Sequence, residues 1–473
     1  MPTYPAYSAD FGARTTRLMQ AKTHLLMFGD SQCAESRQDG LASQFVLTHM
    51  LPNHRPHYMI IGQVGGASHN YMGLSWGYTN ATSTSYGTLT TDYTAGVTPK
   101  LLRPSRKLVA ASNLADNTDM SNVASQGIWL ERQNTSAAVT YASRAFPWNN
   151  TNGASAPWFH GQHMKSKMIV QQLASGGWLQ FDLATCRSGA STTTVGSFVT
   201  STLSAADAIV SSSWTPALAD TANFQTSTAG HINDHYVQQR MRSTAGYNEN
   251  GLSLVLLGAV FARCDGSGVI PWDSDSKGFG YDHFGRSGSG VTDWADNYCT
   301  QSQWQEYFTQ TVLVPDGHTT IFLQLGHNVN GAGEQSGSPG TVTATWISKY
   351  QTIISRLKAA YAAAFPSGTL EIVLVVPWIC TAESNFMQNT TSADSVQAAV
   401  ETLASTNNCA WFSFYNYFNR VPPFPLLHAS SPGNGIMLAQ ALKDCLDHAT
   451  NFISTPLGTN PDTTIRKIAS RLR

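Results

Sequence analysis

Three short segments of this chain carry the residue types needed to attack an acyl carbonyl. In Leu25-Leu26-Met27-Phe28-Gly29-Asp30-Ser31-Gln32 an apolar run that reads as a buried strand ends in Gly-Asp-Ser and leads into a helix. That order lifts the Ser31 hydroxyl out of the carboxyl end of a strand, where α/β sheets carry their chemistry. Gly29 permits the tight turn, and the helix amino end adds N–H groups that favour developing negative charge. Near the C-terminal end, His428 lies in a turn-rich loop, 424–435, just ahead of an amphipathic helical pattern at 436–442. A loop histidine so placed reaches over a sheet edge and takes the proton from a serine. The third segment, Thr319-Thr320-Ile321-Phe322-Leu323-Gln324-Leu325, is another buried-type strand, and it ends in Gly326-His327-Asn328. A carboxamide fixed there is a neutral oxyanion donor with two N–H groups. Nucleophile, base and oxyanion donor together read as acyl transfer to water.

With these segments on the page, the chain resembles the SGNH (GDSL-type) hydrolases. That family carries Ser in a Gly-Asp-Ser block, Gly in a second block, Asn in Gly-x-Asn-Asp, and His in Asp-x-x-His near the C-terminus. The resemblance implies Ser31 and His428 as the catalytic pair. It implies an oxyanion hole made by the backbone N–H of Ser31, the N–H of a glycine and the Asn328 side chain. For the glycine the best match is His283-Phe284-Gly285-Arg286-Ser287-Gly288, which gives Gly288. Gly65 and Gly66, in Ile60-Ile61-Gly62-Gln63-Val64-Gly65-Gly66, are the alternative. Gly288 is preferred because the family keeps this block close in the chain to the one with Asn. Two positions depart from the pattern: Val329 stands for the Asp of the third block, and Pro425 for the Asp three residues before the histidine. Nothing between 402 and 427 is acidic. His428 is therefore oriented by a backbone carbonyl or by an acid from another segment, or else the site has lost catalysis. Cys33 is a conceivable second nucleophile, but it reads as a buried free thiol.

The elements that must hold these residues follow a doubly wound order. Residues 343–365 form a long helical pattern, 370–377 a continuous apolar run, 393–404 a second helix and 409–415 a further strand. Continuous apolar strands suit a mostly parallel sheet covered on both faces, so the fold class is α/β and flavodoxin-like. From about 75 to 244 the chain is rich in Ser, Thr, Gly, Ala and Asn, with short strand-like pieces around 127–132, 167–172 and 177–183. This predicts an inserted antiparallel β-sandwich, with the apolar run 252–262 closing it. The predicted layout is 1–75 as the first part of the hydrolase domain, 76–265 as the insert and 266–473 as the remainder. Trp129, Trp148, Trp158 and Trp178 are candidates for stacking on sugar rings, or for the core of the insert.

Composition bounds the rest. Of 473 residues only 12% are charged, and the net charge is −1. With no basic stripe, electrostatic nucleic-acid binding is excluded as a class. No apolar run is long enough to span a bilayer, and the polar stretch 1–16 does not read as a signal peptide. Seven cysteines without C-x-x-C spacing argue against a disulfide framework. His231 and His235 would share a face only on a helix, and they read as a surface or structural pair; no metal or cofactor is predicted. The expected function is serine esterase, removing O-acetyl groups from a bacterial surface polysaccharide. The extracellular-like composition without a secretion signal suggests a part of a phage particle, such as a tail fibre or baseplate. There it would meet other virion proteins or further copies of itself. A carbohydrate-binding or structural virion protein on the same scaffold is the alternative.

Overall fold

The structure is a computed structural model. It describes residues 4–33, 41, 45–50, 55–61, 252–272, 278–285, 289–298, 300–329, 331–381, 385–425 and 432–450, together with strand segments between 74 and 242. Seven strands of an 11-stranded sheet matter for the site: β1 (Thr23–Gly29), β2 (Arg55–Ile61), β3 (Leu252–Cys264), β4 (Gly278–Gly285), β5 (Thr319–Gln324), β6 (Leu370–Val376) and β7 (Ala410–Ser413). They lie in the order β3-β2-β4-β1-β5-β6-β7. All neighbours are parallel except β3, which runs antiparallel to β2. From β1 the chain goes out to β2 and β3 and returns as β4 beside β1, then crosses to β5, β6 and β7 on the other side. The switch point of this doubly wound α/β sheet therefore lies between β1 and β5, at the carboxyl ends that carry Ser31 and Asn328.

Helices α1 (Phe11–Gln20), α2 (Gln301–Thr311), α3 (Ala344–Ala364), α4 (Thr390–Thr406) and α5 (Pro432–Thr450) cover the sheet. Every residue of β1 is buried, which is why its sequence reads as one apolar run and not as an alternation. Leu26 and Phe28 join Ile321, Leu323, Ile372 and Leu374 in a core closed by α2, α3 and α4. Phe28 meets Trp294 edge-on at 4.5 Å between ring centres, and Trp304 at 5.1 Å. Burying a ring of that size contributes roughly 1.5–3 kcal/mol. On the other face Met27, Phe322, Val375 and Phe412 line a small cavity together with Leu442 of α5, and Phe11 of α1 stacks on Phe412. The buried positions of α3, from Trp346 and Tyr350 to Leu357 and Tyr361, follow the helical period. Asn389 caps α4 by accepting the Ser392 N–H at 2.9 Å.

Two boundaries differ from the sequence expectation. The strand predicted over 409–415 stops at Ser413, whose hydroxyl accepts the Asn416 N–H at 3.0 Å and starts the short helix Phe414–Tyr417. The helix predicted over 436–442 extends as α5 from Pro432, a residue suited to a first helical turn. The run 252–262, expected to close the insert, lies in β3, which also reaches the parallel sheet. Its second half pairs with β2, from Ala259 opposite Ile61 to Ala262 opposite Tyr58. It also pairs with His163–Gln172, and its first half with Ile128–Arg132. Leu74–Tyr78, Thr140–Ala145, Trp178–Arg187 and His235–Arg242 belong to a separate antiparallel sheet. His235 thus opens a strand and shares no helix face with His231, which lies outside the described residues. Trp129 and Trp178 fall in strands, while Trp148 and Trp158 lie outside the described residues.

A buried polar chain ties β1, β2, β4 and α2 together near the amino end of β1. Tyr307 Oη donates to Asp282 Oδ2 at 2.9 Å, so its oxygen accepts from His24 Nε2 at 3.3 Å. His24 Nδ1 then accepts from Tyr58 Oη at 2.8 Å, and that oxygen accepts the Leu313 N–H at 3.0 Å. One neutral imidazole satisfies both neighbours, and burial pushes the His24 pKa down to about 3.

Candidate active site

Site geometry begins with the Gly-Asp-Ser turn. Gly29 stands opposite Gln324 on one side and Gly285 on the other. A Cβ at position 29 would sit 1.9 Å from the Gln324 carbonyl oxygen, so the close approach of β1 and β5 requires glycine. The Asp30 N–H donates to that same carbonyl at 3.2 Å. Asp30 then caps a single helical turn, Ser31–Cys33: its carbonyl accepts the Cys33 N–H at 3.1 Å and its Oδ1 accepts the Gln32 N–H at 2.9 Å. Ser31 is held as the first residue of that turn. Cys33 is buried, and burial with the nearby Asp30 carboxyl pushes its thiol pKa well up. A thiol so protonated is a poor nucleophile.

The neighbouring strand end brings His327 and Asn328 to the same edge. His327 Nε2 lies 2.9 Å from the Trp378 carbonyl, which can only accept, so this nitrogen carries the proton. Its Nδ1 lies 3.8 Å from Asp30 Oδ2, with both side chains buried. The middle residues of the two motifs thus approach each other beneath the turn. Asn328 is half-buried, and its Nδ2 donates to the Ser289 carbonyl at 3.2 Å. Ser289 directly follows Gly288, and its hydroxyl accepts the Trp294 indole N–H at 3.0 Å. Held by one N–H, the Asn328 amide keeps its second N–H for another acceptor. Val329 is buried in the apolar core.

Gly288, Gly65, Gly66 and His428 lie outside the described residues. The strands that lead to them do not. β4, whose end leads to Gly288, is the direct neighbour of β1, whereas β2, leading to Gly65 and Gly66, is one strand further out. The loop that carries His428 leaves from Phe424 and Pro425. Phe424 packs on Trp378 at 5.5 Å between ring centres, and the Pro425 carbonyl accepts from the Cys380 thiol at 3.2 Å. Trp378 also lies against His327 at 5.0 Å. The segment after β6 is therefore the common support of the Asn block and the histidine loop.

Local sequence singled out Ser31 and Asn328, but gave Asp30, Trp378 and Ser289 no role. An Asp just before a helical turn is a legible cap signal. Trp378 and Ser289 have no such local mark, because their partners are remote in the chain. Among the described residues no group of three or more His, Cys, Asp or Glu is placed to hold a metal ion, and no helix is long and apolar enough to cross a membrane.

No protein-family model matches the chain, and no curated protein matches it by sequence. Solved structures do. A structure described as a peptidoglycan O-acetylesterase in action is similar over 95% of this chain and 99% of its own, with 11% identity and a TM-score of 0.50. A family two carbohydrate esterase from Clostridium thermocellum, in complex with cellohexaose, covers 66% of this chain and 94% of its own at 10% identity and a TM-score of 0.25. An acetyl xylan esterase from the rumen bacterium Butyrivibrio proteoclasticus covers 80% of this chain and 100% of its own at 11% identity and a TM-score of 0.22. The first likeness extends over nearly the whole of both chains. What the likeness shows is the fold, a doubly wound α/β sheet.

Proposed function

We propose that this chain, with its SGNH-type fold, is a serine esterase that removes O-acetyl groups from a bacterial surface polysaccharide. The observation that carries the reading is the meeting of three strand ends. The Ser31 turn ends β1 between the end of β4 and that of β5, where the Asn328 amide bonds the residue next to Gly288. Adjacency of β4 to β1 favours Gly288 over Gly65 or Gly66 as the glycine donor. In the proposed mechanism Ser31 Oγ attacks the ester carbonyl while His428 takes its proton. The oxyanion accepts from the N–H groups of Ser31 and Gly288 and from the remaining N–H of Asn328. Collapse expels the sugar hydroxyl, protonated by His428. Water, deprotonated by His428, then attacks the acyl-enzyme and releases acetate and free Ser31.

The strand-rich insert, about 76–265, is proposed as a β-sandwich that holds the polymer, and the low charge supports a place on a phage particle. Detecting the chain in purified virions would test that placement. The test of the chemistry is hydrolysis of p-nitrophenyl acetate and butyrate by wild type, Ser31→Ala and His428→Ala. Expected is turnover that both substitutions abolish and that falls with acyl length, followed by acetate release from O-acetylated polysaccharide. Pro425, in place of an orienting acid, favours one second reading, a non-catalytic carbohydrate-binding protein. Wild type no faster than Ser31→Ala on ester and polymer alike would establish it instead.

A further inference from the structure

We propose that Glu334 is a positioning residue for the oxyanion donors, a carboxylate that staples the loop after β4 to the loop after β5. The inference rests on the esterase reading above. Glu334 is fully buried. Its Oε1 accepts the Thr292 N–H at 3.1 Å and the Thr292 hydroxyl at 2.5 Å, and its Oε2 accepts the Gly331 N–H at 2.7 Å. Its own backbone is held as well: its N–H donates to the Gly331 carbonyl at 3.1 Å, and its carbonyl accepts the Thr343 N–H at 3.0 Å. A Cβ at position 331 would stand 2.5 Å from the Glu334 carboxyl carbon, so glycine there lets the amide come up to the carboxylate.

The two loops are thus joined by two rungs. One is the bond from Asn328 Nδ2 to the Ser289 carbonyl, and the other runs from Gly331 through Glu334 to Thr292. The first rung aims the Asn328 amide; the second sets the separation at which the first can form. A buried carboxylate is costly unless donors surround it, and this one takes its three donors from both loops. A glutamine of the same shape turns one oxygen into an NH2 that faces an N–H. Donor then opposes donor, and the loops separate.

The test compares Glu334→Gln, Asn328→Ala, the double variant and wild type on p-nitrophenyl acetate, with hydrogen exchange measured on the same proteins. Expected for Glu334→Gln is a kcat lower by about 10- to 100-fold with KM changed less than about threefold. The double variant should be no slower than Asn328→Ala alone, because both act on one donor. Amides of 289–292 and 328–331 should exchange faster together, with β1 and β6 unchanged. Full kcat in Glu334→Gln, losses that multiply in the double variant, or faster exchange in only one loop would overturn the proposal. Thr292→Val, which removes the hydroxyl donor alone, serves if Glu334→Gln fails to fold and should lower kcat by about 3- to 10-fold. If wild type equals Ser31→Ala in rate, the esterase reading falls, while the exchange data still decide whether the carboxylate joins the loops.

Discussion

Asn328 shows how one side chain can be both aimed and available. Its amide gives one N–H to the Ser289 carbonyl at 3.2 Å, which fixes the plane, and in the proposed mechanism the other goes to the developing oxyanion. Asn328→Ala is predicted to lower kcat by about 10²- to 10³-fold with little change in KM, checked by steady-state kinetics. Asp30 works from below the serine. Its Oδ1 holds the Gln32 N–H, and its Oδ2 lies 3.8 Å from His327 Nδ1 at the strand end of the asparagine. Asp30→Ala removes the acceptor of a buried N–H and should cost about 1–3 kcal/mol in denaturant unfolding. An unchanged midpoint would show that the turn is held by the backbone bond to Gln324 alone.

At the scale of elements, the segment after β6 connects what the chain keeps far apart. Trp378 is fully buried, accepts from His327 through its carbonyl, and carries Phe424 at the root of the histidine loop. Trp378→Ala should lower stability by about 3–5 kcal/mol. Its kcat should fall further than Trp378→Phe, which keeps an aromatic ring between His327 and Phe424. Thermal unfolding and kinetics on the pair separate the two effects. Equal kcat in both variants would mean that the histidine loop takes its position from elsewhere. β3 is the other connecting element: one strand pairs with β2 of the parallel sheet and with the strands of the insert.

For the whole molecule, acid is the predicted weakness. His24 is neutral in the folded state because burial lowers its pKa from 6.5 to about 3. An unfolded chain binds that proton at its ordinary pKa, so between 3 and 6.5 the unfolded state holds more protons and stability falls as pH falls. The contribution is intact above 6.5 and is lost progressively below it; at pH 5 the loss from His24 is about 2 kcal/mol. Burial lowers His318 and His49 to about 4, which acts in the same direction. Unfolding free energies at pH 7 and pH 5 test this: the difference should shrink in His24→Gln, and an equal difference in both proteins would rule out His24 as the source.

Much of this was legible in the linear order of residues. β1, β5 and β6 announce themselves because strands covered on both faces must be apolar throughout, and α3 because its buried side chains recur at the helical period. Ser31 and Asn328 were legible for the same reason, as each ends such a strand beside a glycine. The strand end at Ser413 was missed because the chain stays apolar past it while a hydroxyl, which hydropathy ignores, caps the turn. The pairing of β3 with β2 was not legible, because an apolar run does not name its partner strand. Asp30 with His327, and Glu334 with Thr292, are contacts between segments far apart in the chain. No local propensity encodes such a contact, since its two groups come together only once the strand ends stand side by side. Sequence by itself marked Ser31 and Asn328 at the ends of two apolar strands; tertiary structure alone decided what holds them there, because the holding hydrogen bonds run between segments that only the closed sheet brings together.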